Sequence, residues 1–208
     1  MENTALPLPI KLPQSRIALK PVLRRLGYPP RMEAMDESIR AIFDSEMEKA
    51  RDLIRPEAMI RFLKILNHGR KTTEFEYQFT LRSEKVAALL KTAGYGAFFF
   101  VTIGDGLEKE ADRLNMNGDM TRALILDTLG SEAVDGYADM LQREIIREKA
   151  GENGFTITPR FSPGYADWPL TVQPELAELC GASKIGIEIT DVYLMLPRKS
   201  VSAVFGLV

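Results

Sequence analysis

One cysteine, Cys180, and one histidine, His68, are all that the 208 residues hold of the two side chains most used for soft-metal ligation and nucleophilic chemistry. An internal disulfide, a multi-cysteine metal site and an iron–sulfur cluster held by this chain alone are thereby excluded. A zinc centre, a Ser-His-Asp triad and a Cys-His dyad become poor candidates, since His68 and Cys180 can each ligate only singly. No apolar run approaches the roughly 18 residues of a membrane span, and residues 1–13 lack a basic segment followed by a long apolar one. Together with an unpaired cysteine, this predicts a cytoplasmic protein with no membrane partner. An excess of one charge is missing too: Lys and Arg number 27 against 29 Asp and Glu, a formal net charge of −2. No basic field therefore points to nucleic acid. Tandem repeats and low-complexity tracts are also absent.

What is present is the composition of an ordinary globular chain, 45% hydrophobic and 27% charged, in the range that buries a core. Pro7, Pro9 and Pro13 predict an extended arm over residues 1–16, followed by a single domain over 17–208. Pro21 in the first turn, Leu23, Leu26 and a closing Gly27 outline a short helix. Asp36 is placed to cap a longer one, in which Ile39, Ile42, Phe43, Met47, Ala50, Leu53 and Ile54 recur at spacings of three and four; that stripe reads as core packing. Residues 58–66 are read as a strand. Glu74, Glu76 and Gln78 alternate with Phe75, Tyr77 and Phe79, which predicts a second, half-buried strand, with His68 in the solvated loop between them. Ser83 is placed to cap a helix ending at Gly94. Phe98-Phe99-Phe100-Val101 is apolar on both faces and reads as a central strand.

A helical region is expected over residues 119–149, with Gly130 and Gly136 marking close packing or a break. Asp135 and Asp139, four apart, share one face of it, and spacing alone favours two solvated carboxylates. Phe155-Thr156-Ile157-Thr158 alternates as a strand. Gln173 sits where a cap belongs, Pro174 at the first helical position and Gly181 past the helix end. Three β-rich runs, 185–189, 192–197 and 201–208, predict a closing antiparallel meander with turns at Asp191 and Arg198-Lys199-Ser200. The fold class is α+β, a twisted, mostly antiparallel sheet flanked by helices.

Two stretches suggest ligand chemistry. Thr102-Ile103-Gly104-Asp105-Gly106 joins a strand to a helix and can be read as an anion loop or as a plain turn. It lacks the third glycine of a dinucleotide fingerprint and the lysine of a phosphate loop, which favours the turn. Residues 160–169 are richer. Ser162-Pro163-Gly164-Tyr165 has the type II pattern, with glycine where φ must be positive. Arg160 beside it offers a planar fork for a carboxylate or phosphate.

Arg160-Phe161-Ser162-Pro163-Gly164-Tyr165, Asp167-Trp168-Pro169-Leu170, Gln173, and then Thr190-Asp191-Val192-Tyr193, Leu194-Met195-Leu196-Pro197 and Ser200-Val201 together resemble the activation domain of vitamin B12-dependent methionine synthase. The likeness is closest to small free-standing members, and extends back through Thr102-Ile103-Gly104 to Leu23-Arg24-Arg25-Leu26-Gly27-Tyr28. It implies S-adenosylmethionine as ligand, with Arg160 on its carboxylate, the backbone of Ser162, Pro163, Gly164 and Tyr165 against it, and Asp135 nearby. Tyr165, Trp168 and Tyr193 are aromatic candidates for the sulfonium; core packing is the competing reading for the last two. The resemblance implies further that cobalamin is carried by a partner, a corrinoid-binding methyltransferase, and that a flavodoxin- or ferredoxin-type protein donates an electron. A corrinoid-protein chaperone that keeps the fold without catalysis is the rival expectation. Where the resemblance would place a cysteine and a histidine after the turn, this chain has Asp167 and Trp168.

Overall fold

A computed structural model of the chain describes residues 6–13, 17–32, 35–152 and 154–208. The parts of the expected arm at residues 1–5 and 14–16, and the side chain of Ile145, lie outside the described residues. The elements in chain order are β1 (Leu8–Lys11), α1 (Leu19–Arg25), α2 (Glu37–Leu53), β2 (Glu57–His68), β3 (Thr72–Phe75), β4 (Thr80–Arg82), α3 (Glu84–Leu89) and β5 (Tyr95–Thr102). Then follow α4 (Gly106–Met116), α5 (Met120–Met140), a π-helical turn over Leu141–Ile146, α6 (Arg147–Glu152), α7 (Gln173–Cys180), β6 (Glu188–Ile189), β7 (Met195–Leu196) and β8 (Ser200–Leu207).

The strand order β4-β3-β2-β5-β8, with β1 added beside β2, forms one sheet whose pairings are all antiparallel. The α+β antiparallel architecture is thus the one that the sequence predicts. Part of the predicted arm is β1, which pairs Leu8 with Ile60 and Lys11 with Glu57. Pro7 and Pro9 lack an N–H, and alternate residues aim at the same edge, so the outer edge of β1 is poor in donors.

Alternation along the strands divides the core in two. Ala97, Phe99 and Val101 of β5, with Ala58 and Ile60 of β2 and Ala203, Phe205 and Leu207 of β8, pack with residues of α1, α2, α4 and α5. Phe98 and Phe100, with Met59, Leu63, Ile65 and Val204, pack on the opposite face with residues of α3 and α7 and with Trp168. This is why the apolar run in β5 has no polar face: both its sides are covered. Phe98 meets Phe75 and Phe79 edge-on, with centroids 5.2 and 5.4 Å apart, contacts worth about 0.5–1.5 kcal/mol each beyond area burial.

Three sequence expectations are corrected. The alternating run 74–79 is not one strand: Tyr77 and Gln78 take φ of 58° and 59°, and the chain reverses so that Phe75 N–H donates to Phe79 C=O at 2.8 Å. Positive φ at both central residues is the geometry that matches hairpin twist. It lets Phe75 and Phe79 enter the same aromatic cluster, while Tyr77 lies under the Arg61 guanidinium, 5.1 Å from its ring centre. The closing meander is also split. β6 and β7 form a separate two-stranded hairpin, and β8 pairs with β5 from Tyr95↔Leu207 to Thr102↔Ser200. Between them the buried Lys199 reaches α5, its Nζ 2.6 Å from Asp127 Oδ1 and 2.9 Å from Ser131 Oγ, and so carries the chain away from the hairpin. Finally, residues 155–158 run along β8 as an irregular border: Thr156 N–H and Val208 N–H donate to each other's carbonyls, with a single bridge at Ile157↔Leu207.

Other expectations match closely. Ser83 Oγ accepts from Val86 N–H at 3.0 Å, and α7 begins at Gln173, one residue earlier than predicted, and ends at Gly181 with φ 65°. The Thr102-to-Gly106 turn is structural: Gly104 N–H donates to Thr102 Oγ1 at 3.1 Å and Ile103 C=O accepts from Arg55 N–H at 2.9 Å. His68 is exposed as expected, but it is the last residue of β2, paired with Thr73, and not part of the loop.

Asp167 accounts for one departure from the family pattern. Its carboxylate accepts from Ser83 Oγ at 2.7 Å and from the N–H groups of Glu84 and Lys85, which fastens the 160–169 loop to the N-terminus of α3. The Ser83 hydroxyl, then those backbone donors, hold its carboxyl below the usual value. A depressed folded-state pKa contributes stability above the unfolded carboxylate range that disappears as pH falls through the folded value. Asp167→Asn is therefore expected to be less stable at neutral pH and to lose less stability as the pH falls below the ordinary aspartate value of about 4, read as urea midpoints at several pH values. Parallel profiles for variant and parent would contradict this. The two helix glycines make a second contrast. A Cβ on Gly130 would lie 2.9 Å from Leu107 Cδ2, whereas one on Gly136 meets nothing within 4 Å. Gly136→Ala should stabilise by up to about 1 kcal/mol and Gly130→Val should destabilise by about 1–3 kcal/mol in the same measurement.

Candidate functional site

The 160–169 loop is placed by the sheet. Phe161 and Val204 exchange reciprocal N–H to C=O bonds of 2.8 and 2.9 Å, which seats the segment beside β8. Phe161 then stacks on Trp168 at 6.3 Å with the rings 24° apart, and Trp168 is 1% exposed. Gly164 takes φ 91°, as the third position of a type II turn demands. A Cβ there would also lie 3.0 Å from Leu170 Cδ2. Gly164 N–H donates to Trp168 C=O at 2.7 Å and Trp168 N–H to Tyr165 C=O at 3.1 Å. Those backbone groups close the loop on itself and are not offered outward.

Beside this turn opens a cleft of about 490 Å³, within the usual range for a small-molecule site. Asp135 from α5, Arg160, Ser162, Pro163 and Tyr165 line it. These five of the sequence-derived candidates are brought together. Gly164 shapes the turn without lining the cleft. Trp168 is a core residue beneath the loop, and Tyr193, with φ 65°, stands in the β6–β7 turn and does not line the cleft either. Sequence reasoning did not single out Leu170, Gln173, Met195, Ser200, Val201 and Ser202 as lining residues, although they complete the wall. Ser202 Oγ donates to Gln173 Oε1 at 3.0 Å, joining β8 to the start of α7. Several of these residues lie within the motif stretches, but only the Phe161–Val204 pairing reveals that β8 borders the turn.

Opposite charges meet at the cleft. Arg160 Nη1 donates to Asp139 Oδ1 as an ion pair, so the two carboxylates on one face of α5 differ in role: Asp139 binds the arginine and Asp135 borders the cleft. Burial pushes the Asp135 carboxyl up, with Arg160 opposing the shift and Glu132 adding to it. Arg160 also lines a second hollow of about 620 Å³ with Asp139, Gln142, Arg143, Arg147 and residues 157–159, and so forms the partition between the two. Cys180 is buried and its thiol is pushed up to about 12, which removes it as a nucleophile. Among the described residues no cluster of three or more His, Cys, Asp or Glu is gathered to hold a metal, and no helix is long and apolar enough to cross a membrane.

No curated protein matches the chain. Among solved structures, one described as the crystal structure of the MetH reactivation domain bound to AdoHcy superposes with a TM-score of 0.70 at 16% identity, covering 96% of this chain and 78% of that one. At that identity the likeness is one of fold. The sequence model of the vitamin B12 dependent methionine synthase activation domain matches residues 57–207, from β2 to the end of β8, and therefore includes the sheet apart from β1, the cleft and its arginine. The chain belongs to the vitamin B12 dependent methionine synthase activation domain family.

Proposed function

We propose that the cleft binds S-adenosylmethionine and holds its methyl group for transfer to a corrinoid carried by a separate methyltransferase protein, returning that protein to its active state. The observation that carries this reading is the pairing of a permanent cation, Arg160, with the carboxylate of Asp135 in one cleft beside a type II turn. The ligand's amino-acid end carries both charges in complementary order. Arg160 takes the carboxylate through its planar fork, and Asp135 takes the ammonium. Tyr165, exposed at the rim, offers a ring face near the sulfonium, an attraction of about 0.5–2 kcal/mol.

The partner's cobalt supplies the methyl acceptor, and a flavodoxin- or ferredoxin-type donor supplies the electron that makes reduced cobalt nucleophilic. This chain's part is positioning: it converts an encounter of methyl donor and acceptor into a held geometry. The solved structure with AdoHcy, the demethylated product of the same ligand, supports the choice of adenosyl ligand.

Calorimetric titration with S-adenosylhomocysteine should give a saturable signal, and Arg160→Ala should remove roughly 2–5 kcal/mol of binding. Near-parental affinity in that variant would contradict the assignment. The pH dependence has a defined sign. Asp135 must be ionised to meet an ammonium, and its raised pKa makes affinity fall with decreasing pH earlier than an ordinary aspartate, near 3.9, would. Asp135→Asn should weaken binding at neutral pH and flatten that fall. With a cobalt(II) corrinoid protein, reductant and S-adenosylmethionine, the methyl-cobalt spectrum should appear. Binding without it, across cognate partners, would favour a corrinoid-protein chaperone.

A further inference from the structure

We propose that Asp139 is a positioning residue for ligand recognition: it anchors one nitrogen of the Arg160 guanidinium outside the cleft and so fixes the remaining N–H fork for the ligand's carboxylate. The inference rests on the ligand reading above and deepens it.

Arg160 lines both the ligand cleft and the basic hollow behind it, while Asp139 lines only the hollow. The ion pair runs through Nη1, and among the described residues no other side chain bonds this guanidinium. An arginine side chain has about 2 kcal/mol of rotamer entropy to lose on ordering, and a partner that orders it beforehand removes that cost from binding. Asp139 is one helical turn beyond Asp135 on α5, so both carboxylates are set by the same rigid element. The spacing separates their tasks: Asp135 faces the ligand's ammonium, and Asp139 holds the group that faces its carboxylate. Gln142, one further turn along, donates through Nε2 to Thr158 C=O at 2.9 Å. That bond ties the same stretch of helix to the strand-like segment from which Arg160 emerges, so helix and arginine keep a fixed separation.

Two ligands separate positioning from a general effect on the fold. S-adenosylhomocysteine has the amino-acid end; 5′-methylthioadenosine lacks it. Calorimetry on Asp139→Ala should show S-adenosylhomocysteine bound about tenfold more weakly, with 5′-methylthioadenosine affinity unchanged. Asp139→Glu, which keeps the charge and can reach the guanidinium, should recover most of the loss. Equal weakening of both ligands in Asp139→Ala, or no weakening of either, overturns the positioning role. Tighter binding of S-adenosylhomocysteine also overturns it, since Asp139 would then be a competitor for Arg160. If the unaltered protein binds neither ligand, the ligand reading itself fails and this inference fails with it, a result distinct from selective behaviour of the variants.

Discussion

The ladder between β5 and β8 is the constraint on which the rest of the molecule depends. It runs from Tyr95↔Leu207 to Thr102↔Ser200, with β5 buried on both faces, and it fixes β8 as the border against which the 155–161 segment is laid. The reciprocal bonds of Phe161 and Val204 then set the origin of the Arg160 loop on the sheet. A side chain that must meet a ligand within a few tenths of an ångström needs such a foundation. From the other side, α5 supplies Asp135 and Asp139, and Gly130 lets Leu107 of α4 and the Lys199 side chain come close to it.

The electrostatics of the site follow from that frame. Arg160 is held by an acid outside the cleft, and a second acid borders the cleft with its proton affinity raised by burial. The N–H groups that Arg160 does not give to Asp139 are left for an anionic group, and Asp135 offers an acceptor for a cationic one. A zwitterionic amino-acid group meets both needs at once, whereas a simple phosphate would leave Asp135 facing another negative charge. The charge pattern is thus the one that the proposed ligand's amino-acid end requires. The departures from the family pattern at Asp167 and Trp168 have structural work of their own: the first caps α3 and the second fills the core under the turn.

Much of the fold was legible because its signals are local. Ser83 as a cap, Pro174 and Gly181 at the ends of α7, Gly164 in its turn and the two-faced apolar run of β5 all announce backbone geometry or burial within a few residues. The hairpin at Tyr77-Gln78 was hidden because neither residue belongs to the Asn-Gly type that marks positive φ; tertiary packing of Phe75 and Phe79 on Phe98 imposes the reversal. The split of the closing meander was hidden because the partner of β8 lies about a hundred positions earlier in the chain, and pairing at that distance leaves no local trace. Within the site, Arg160 and its turn stood out, and the resemblance supplied Asp135. Asp139 looked like a solvated carboxylate because only the fold brings Arg160 to it, and Trp168 and Tyr193 looked available because aromatic character does not reveal which way a loop turns.

A crystal structure with S-adenosylhomocysteine bound tests the central claim most directly. The account predicts the ligand's carboxylate on the Arg160 guanidinium, its ammonium within hydrogen-bond distance of Asp135, and the sulfur at the open side of the cleft near Tyr165. Density for the ligand away from Arg160, or a cleft still empty at saturating ligand, would contradict it.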